Sequence, residues 1–311
     1  MNTRIHSLTI VRPLLVSHSH RLMGCGAALG MVLIWSAYFL SLRQGAFSPL
    51  ARLDMTLFRY AVPGLLLLPL LLRRWPVIRA VSPVWLLGMS LGAGLPFFLL
   101  GAIGMGWAPV AQGSTLIPGT APLFVTLLAV VVFRQRFSRW RRVGLAAVLA
   151  GVACLIAAGL GEAAALGQGQ LLFLVCSLLW AVFTVSMRQS GLSPLEAAAV
   201  VTVPNGALVL LYWWLAGTPL SLHDLPASEW GVQLVVQGVA VGLGSSFLYG
   251  YAIRQLGAEA TAAIGSLTPV CASLLAWLLW HESLDPLSAF GMAMVVLGVV
   301  CASGLLQRTP D

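Results

Sequence analysis

Ten stretches of about 20 apolar residues, separated by short polar or proline-containing joints, occupy almost the whole chain. A helix needs about 20 predominantly apolar residues to cross the ~30 Å hydrocarbon core of a bilayer. The stretches therefore predict an all-α, polytopic membrane protein with ten transmembrane helices. The predicted spans are 22–42, 54–72, 84–106, 110–133, 143–160, 168–187, 196–216, 230–252, 258–280 and 284–306.

Charged side chains are too few for a water-soluble fold of this length. Only 8% of the 311 residues are charged and 59% are hydrophobic, whereas a soluble domain carries roughly 25% charged residues. The net charge of +8 comes from arginines scattered between apolar runs, a pattern that does not predict binding of nucleic acid. The five cysteines form no CxxC or Cys/His pair, so we expect no metal site and no cofactor.

The arginines predict which side of the membrane each joint faces. If the N-terminus is inside, the inner segments hold fourteen arginines and the outer joints hold Arg43 and Arg52. Because cytoplasmic loops are enriched in basic residues, we expect both termini to be cytoplasmic and the protein to lie in the cell inner (plasma) membrane as a multi-pass protein.

Polar residues before prolines predict where several helices begin. Ser82, Ser193 and Asp285 each precede a proline, and this arrangement places a capping side chain before a residue that suits the first helical turn. Glu196 follows Ser193 at the spacing of a capping box. We therefore interpret Glu196 as a structural residue.

The two halves of the chain repeat one another. A shift of 145 residues superposes Trp35 on Trp180 and Arg43 on Arg188, and a shift of 147 aligns residues 122–154 with 269–301 without a gap. Because each copy has an odd number of spans, the second copy must enter the membrane from the opposite side. We expect two inverted five-helix repeats, which is the architecture of alternating-access carriers. The predicted organisation is an N-terminal tail 1–21, repeats 22–160 and 168–306, and a C-terminal tail 307–311.

The end of the second repeat resembles a family signature. Leu267-Thr268-Pro269-Val270 and His281-Glu282-Ser283-Leu284 resemble the ninth-to-tenth-span signature of the EamA-type carriers in the drug/metabolite transporter superfamily. The first half departs from that signature, because Gln135 stands at the position of the acid. The resemblance covers about residues 25–306 and implies a ten-helix transporter with two EamA domains. It further implies an exporter of amino acids or similar metabolites.

The resemblance implies that spans 3, 4, 8 and 9 form the walls of a central cavity. Polar residues of spans 4 and 9 are therefore candidates for substrate binding. The repeat register pairs Gln112 with Glu259 and Ser114 with Thr261, and Thr115 follows. If the two repeats are inverted, Gln112 would lie toward the outer end of the transport pathway and Glu259 toward its inner end. Glu259 could couple a proton to transport, or it could sit in a first helical turn where the dipole favours an anion.

One arginine and several aromatic or amide side chains are further candidates. Arg59 in span 2 could bind a substrate carboxylate, although snorkelling to the outer interface is the favoured interpretation. Trp35 and Trp180, with Tyr38, could stack on a substrate or simply pack between helices. Asn205 and Tyr249 need polar partners within the hydrocarbon, so they could face a cavity.

Prolines within the spans are candidate hinges. Pro118, Pro122 and Pro269 interrupt the backbone hydrogen bonds of spans 4 and 9. In carriers, such interruptions line cavities and bend at gates. We therefore expect these three prolines at a hinge or gate.

Other classes of protein fit less well. The chain has no HExxH, GxSxG or phosphate-binding loop, so neither an enzyme nor an ATP-driven pump is expected. A channel would show filter loops or charged rings. A flippase of lipid-linked substrates with the same fold and a non-transporting membrane scaffold stay open as alternatives. The expected partners are a small-molecule substrate and the lipid bilayer, with transport either passive or coupled to an ion such as a proton, and we expect a monomer or a homodimer.

Overall fold

The structure is a computed structural model that describes residues 18–48, 52–134, 138–159, 164–217 and 226–303. Within these ranges the chain is helical and contains no strand. Among the described residues, nine helical segments are long and apolar enough to cross a membrane, and a shorter apolar helix, Pro286–Ala302, takes the tenth position. The all-α membrane fold predicted from the apolar stretches is confirmed.

Most spans are single helices, but spans 2, 3, 8 and 9 are broken into pieces. The first five spans and the joints between them contain α1 (His18–Phe47), α2 (Arg52–Thr56), α3 (Val62–Arg73), α4 (Trp75–Ile78), α5 (Pro83–Gly92), α6 (Leu95–Trp107), α7 (Val110–Phe133) and α8 (Arg139–Ala158). The last five contain α9 (Ala164–Ser190), α10 (Pro194–Ala216), α11 (Ala227–Gln233), α12 (Ser245–Leu256), α13 (Ala258–Gly265), α14 (Thr268–Trp280) and α15 (Pro286–Ala302).

Two of the predicted helix starts are capped by their side chains. Ser193 accepts a hydrogen bond from the Glu196 amide while Glu196 accepts one from the Ser193 amide, which completes the capping box of α10. Asp285 accepts a hydrogen bond from the Ser288 amide at the start of α15. Ser82 precedes α5 but its side chain makes no capping hydrogen bond.

Four glycines join the two repeats at the contact between α8 and α15. A Cβ atom on Gly144 would lie 2.5 Å from the Gly298 carbonyl oxygen, and one on Gly151 would lie 2.5 Å from that of Gly291. The reverse contacts are equally close, at 2.6 Å and 2.7 Å. We call Gly144, Gly151, Gly291 and Gly298 the glycine seam, where two backbones touch because no side chain separates them.

The glycine seam obeys the repeat register. Moving Gly144 by 147 residues gives Gly291, and moving Gly151 gives Gly298, so the shift exchanges one contact for the other. Residue numbers rise along α8 where they fall along α15, which makes the helices antiparallel. A two-fold axis across the bundle therefore relates the halves, as expected for inverted repeats.

Candidate functional site

A cavity of about 190 Å³ lies in the middle of the bundle, and we call it the central cavity. Most of its wall is aromatic or aliphatic. The predicted residues that line it are Trp35, Tyr38, Arg59, Pro118, Trp180 and Tyr249. These residues come from spans 1, 2, 4, 6 and 8, so the cavity belongs to both repeats.

A second cavity of about 330 Å³ adjoins the central cavity, and we call it the vestibule. The two cavities share Trp35, Pro118, Trp180, Thr184 and Tyr249 in their walls. From this shared wall the vestibule extends to Arg141 at the start of α8 and Ser303 beyond the end of α15. Three more predicted residues, Pro122, Thr261 and Pro269, line it as well.

Five aromatic rings form one cluster around the shared wall. Trp35 contacts Trp180 edge to face, with ring centroids 6.4 Å apart, and lies 6.1 Å from Tyr249. Trp180 also contacts Phe97 at 5.5 Å and Phe183 at 5.0 Å. Trp35 and Trp180 are equivalent in the repeat register, so they meet where the halves meet. Their faces and edges give the cavity an apolar lining that suits a hydrocarbon body.

Arg59 presents a buried cation to the central cavity. Its residue is only 9% exposed, and its Nε atom has no hydrogen-bond partner in the described part of the chain. The guanidinium lies 5.2 Å from the ring centroid of Tyr60, which stabilises the charge only in part. The hydroxyl of Tyr38, on the same cavity wall, is also buried and has no partner among the described residues.

A π-helical segment, Leu57–Ala61, carries Arg59. It packs against a second π-helical segment, Leu234–Gly244, in span 8. Close approach is possible because Gly238 has no side chain, and a Cβ atom there would lie 3.1 Å from the Phe58 carbonyl oxygen. Local π-helical turns occur frequently at functional sites, and here both segments contribute to the cavity wall.

An ion pair joins three helix ends at one end of the bundle, which we call the latch end. The Nε atom of Arg43, in the last turns of α1, donates to Oε1 of Glu282 at 2.7 Å. Arg43 Nη1 also donates to the carbonyl oxygen of Met105 at 2.6 Å, and the Val110 amide donates to Glu282 Oε2 at 3.1 Å. We call this pair the latch. It ties span 1 to the joint between spans 3 and 4 and to the joint after span 9.

The opposite end of the bundle, which we call the arginine end, carries several cations. Arg74 pairs with Glu196 at 2.5 Å. Arg141, at the mouth of the vestibule, donates to the Thr126 hydroxyl at 3.2 Å, and the nearby charge of Arg188 repels it. The repeat register relates Arg43 of the latch to Arg188, and Glu282 to Gln135. Gln135 lies outside the described residues.

Three predicted residues of span 4 lie away from both cavities. Gln112 is buried and accepts a hydrogen bond from Gln170 at 2.8 Å. Gln170 donates in turn to the Leu155 carbonyl oxygen, so the two amides join spans 4, 5 and 6. Ser114 and Thr115 are fully buried, and each donates to the carbonyl oxygen of Ala111. These side chains satisfy one another or the backbone and do not face either cavity.

Asn205 also lies outside both cavities. Its amide nitrogen donates to the carbonyl oxygens of Ser90 and Val201, and its oxygen accepts from the Leu95 amide. The Leu95 amide is free because span 3 breaks at Ala93 and Gly94. Asn205 therefore satisfies the backbone of that break.

Three predicted residues lie in the two helices of span 9. Helix α13 ends at Gly265 and α14 starts at Thr268, so Pro269 occupies a first helical turn instead of interrupting one helix. Glu259 lies in the first turn of α13, and its side chain is outside the described residues. Thr261 donates to the Gly257 carbonyl oxygen while lining the vestibule.

The latch residues and the aromatic pair Phe97 and Phe183 are not among the candidates predicted from the sequence. A signal for the latch is present in the sequence, because Arg43 is one of only two arginines in the predicted outer joints and Glu282 lies in another of them. The phenylalanines carry no such signal, since apolar residues fill every face of these helices.

Comparison with known proteins is consistent with this architecture. Residues 22–157 and 167–304 each match the EamA-like transporter family. The chain is 23% identical over 210 residues to the uncharacterized transporter YyaM of Bacillus subtilis (strain 168), covering 66% of this chain and 68% of the relative. It is 26% identical over 289 residues to a probable terminal-alkyne amino-acid exporter of Streptantibioticus cattleyicolor, covering 86% and 89%. A protein of known crystal structure has the same fold, with a TM-score of 0.61 and 22% identity over 94% of this chain and 98% of the other.

The helical bundle and the family matches define a membrane transporter and not an enzyme. The chain belongs to the EamA-like transporter family, whose domain it contains twice. The resemblance inferred from the ninth-to-tenth-span motif is thereby confirmed.

Proposed function

We propose that this transporter is an alternating-access secondary carrier that exports a small organic solute, an amino acid or a related metabolite, across the plasma membrane. The observation that carries the proposal is the asymmetry of the pathway. The central cavity and the vestibule extend to the arginine end, whereas the latch ties helices together at the other end. A site reached from one end and closed at the other is one of the two states of alternating access.

The distribution of arginines supports a cytoplasmic arginine end. In that orientation the described state takes up its substrate from the cytoplasm and would release it outside once the latch opens. Export also agrees with the similarity of the chain to a probable terminal-alkyne amino-acid exporter. The size of the central cavity, about 190 Å³, favours a small solute over a lipid-linked substrate.

Counterflow in proteoliposomes tests the function. Vesicles loaded with one unlabelled compound at a time, from a panel of amino acids, their deaminated analogues, nucleobases and cationic dyes, should accumulate the labelled form of the transported class. Protein-free vesicles measure leakage. An Arg79→Gln variant is the matched control, because Arg79 is exposed and lines neither cavity.

The outcomes separate the alternatives. Exchange of one class supports a carrier and identifies its substrates. No exchange of any solute, together with translocation of a lipid-linked sugar, would instead support a flippase. No flux of either kind would contradict the proposal and favour a scaffold.

A further inference from the structure

Arg59 is the buried charge in the central cavity that still lacks a partner. Arg43 pairs with Glu282 and Arg74 with Glu196, but Arg59 forms no ion pair with any described residue. An unpaired buried ion costs several kcal/mol. A guanidinium held in this way, at the wall of a cavity, is a binding site for an anion that would restore the missing pair.

The donor atoms around Arg59 fit a carboxylate. A guanidinium offers two parallel N–H groups that match the two oxygens of a carboxylate. The unpartnered Tyr38 hydroxyl lies on the same wall, within electrostatic range of the Arg59 charge. A carboxylate bound at Arg59 would be the acceptor that the Tyr38 hydroxyl lacks.

The rest of the wall fits an apolar body. Trp35, Phe97, Trp180 and Phe183 surround the cavity beyond Arg59. A substrate that places its carboxylate at Arg59 would lay its hydrocarbon part against these rings, where burial of apolar area is favourable.

The charged residues along the pathway favour a carboxylate without an ammonium group over an amino acid. No Asp or Glu side chain that the structure describes lines the central cavity or the vestibule, whereas Arg59 and Arg141 both do. An α-ammonium group would find aromatic faces and hydroxyls there but no described counter-ion. Cation–π contacts recover only part of the cost of burying it.

We propose that Arg59 and Tyr38 form a carboxylate site, and that the preferred substrate is a monocarboxylate with a compact apolar body and no ammonium group. This inference rests on the proposed carrier function and narrows its substrate class from amino acids and related metabolites to the related metabolites that lack the ammonium group.

A matched set of three probes tests the site by calorimetric titration of the purified full-length protein. 3-Phenylpropanoate, L-phenylalanine and phenethylamine share one skeleton and differ in which charged group they carry. We expect 3-phenylpropanoate to bind about 10-fold more tightly than phenylalanine, and phenethylamine to bind most weakly. The corresponding set with an isobutyl group, 4-methylpentanoate, L-leucine and isopentylamine, repeats the comparison with a smaller body.

Variants assign the effect to named atoms. Arg59→Gln should weaken carboxylate binding by at least about 30-fold and should strengthen binding of the amine, because it removes a like charge. Arg59→Lys should give an intermediate loss of carboxylate binding, because it keeps the charge but not the paired donors. Tyr38→Phe, which removes one hydroxyl and little volume, should weaken binding of the carboxylates alone by several-fold. The Arg79→Gln variant should match the wild type.

Three outcomes would contradict the proposed carboxylate site. The first is equal affinity for the three kinds of probe, and the second is carboxylate binding that Arg59→Gln and Tyr38→Phe do not weaken. The third is that no probe of either set binds. Counterflow of the same probes separates this result from the proposed function. Transport that is indifferent to Arg59 would contradict the site and leave the carrier standing. Tight binding of carboxylates without exchange would contradict the carrier and leave the site standing.

Discussion

Breaking the latch should shift the transporter toward a state that is open at the latch end. Glu282→Gln keeps an oxygen that can accept from the Val110 amide but removes the charge that holds Arg43. The two side chains are only 18% and 20% exposed, so solvent screens the pair less than it would an exposed one. Hydrogen bonds to charged groups contribute about 1.5–3 kcal/mol each.

We take about 1.5–2 kcal/mol as the loss, since one short charged contact disappears while the Val110 contact remains. This energy corresponds to a change of about 10- to 30-fold in the ratio of latch-open to latch-closed molecules. Arg43→Gln should shift the equilibrium in the same direction and further, because it also removes the donor to the Met105 carbonyl oxygen. The double variant should add little to Arg43→Gln, because the pair with Glu282 is already lost in that single variant.

Distance measurements between two spin labels across the latch provide the assay. Leu53 in α2 and Ser283 in the joint after α14 are both exposed, so cysteines introduced there, with the native cysteines replaced, should accept labels without disturbing the core or the latch. Glu282→Gln should increase the population of the longer distance, and Arg79→Gln should not. If the distribution is unchanged in both latch variants while the protein still transports, the pair is not a gate and the reasoning is refuted.

Three further changes have defined outcomes. Gln135→Glu supplies the acid that the repeat register pairs with Arg188, so it should stabilise closure of the arginine end and slow counterflow several-fold; unchanged rates would contradict the assigned equivalence. Glu259→Gln should abolish any acceleration of transport by a pH gradient while leaving equilibrium exchange intact, and a gradient effect that survives would exclude Glu259 as the coupling acid. Gly151→Val should lower the melting temperature by several degrees, because even its Cβ atom would meet the Gly291 carbonyl oxygen at 2.5 Å; a variant as stable as wild type would show that the helices separate freely.

The overall fold was predictable because its main determinants are local. Span length depends on apolar runs, and helix starts such as Ser193 depend on neighbours in the sequence. The inverted relation of the repeats followed from counting the spans of each copy. No knowledge of distant contacts was needed for these inferences.

The candidate site was less predictable because it depends on how each helix is rotated about its axis. Trp35 and Trp180 line the cavities, whereas Gln112 faces Gln170 in a neighbouring span. These helices are apolar around their whole circumference, so periodicity does not reveal which face is inward. The Arg43–Glu282 contact joins residues that are 239 positions apart, and only the packed bundle brings them together.

The glycine seam has a consequence for how the two copies can diverge. Its contacts are self-complementary, like the isologous interface of a two-fold-symmetric dimer, where one patch meets an identical patch. In a homodimer, one codon would encode the glycine on both sides of the contact. In this fused chain the two glycines of each contact are encoded separately, so both must be kept for the helices to stay in contact. Residues at the two ends of the bundle are under no such reciprocal constraint, and there the copies differ, with Glu282 in one and Gln135 in the other. Duplication thus left a shared seam that must stay paired and two ends that are free to specialise.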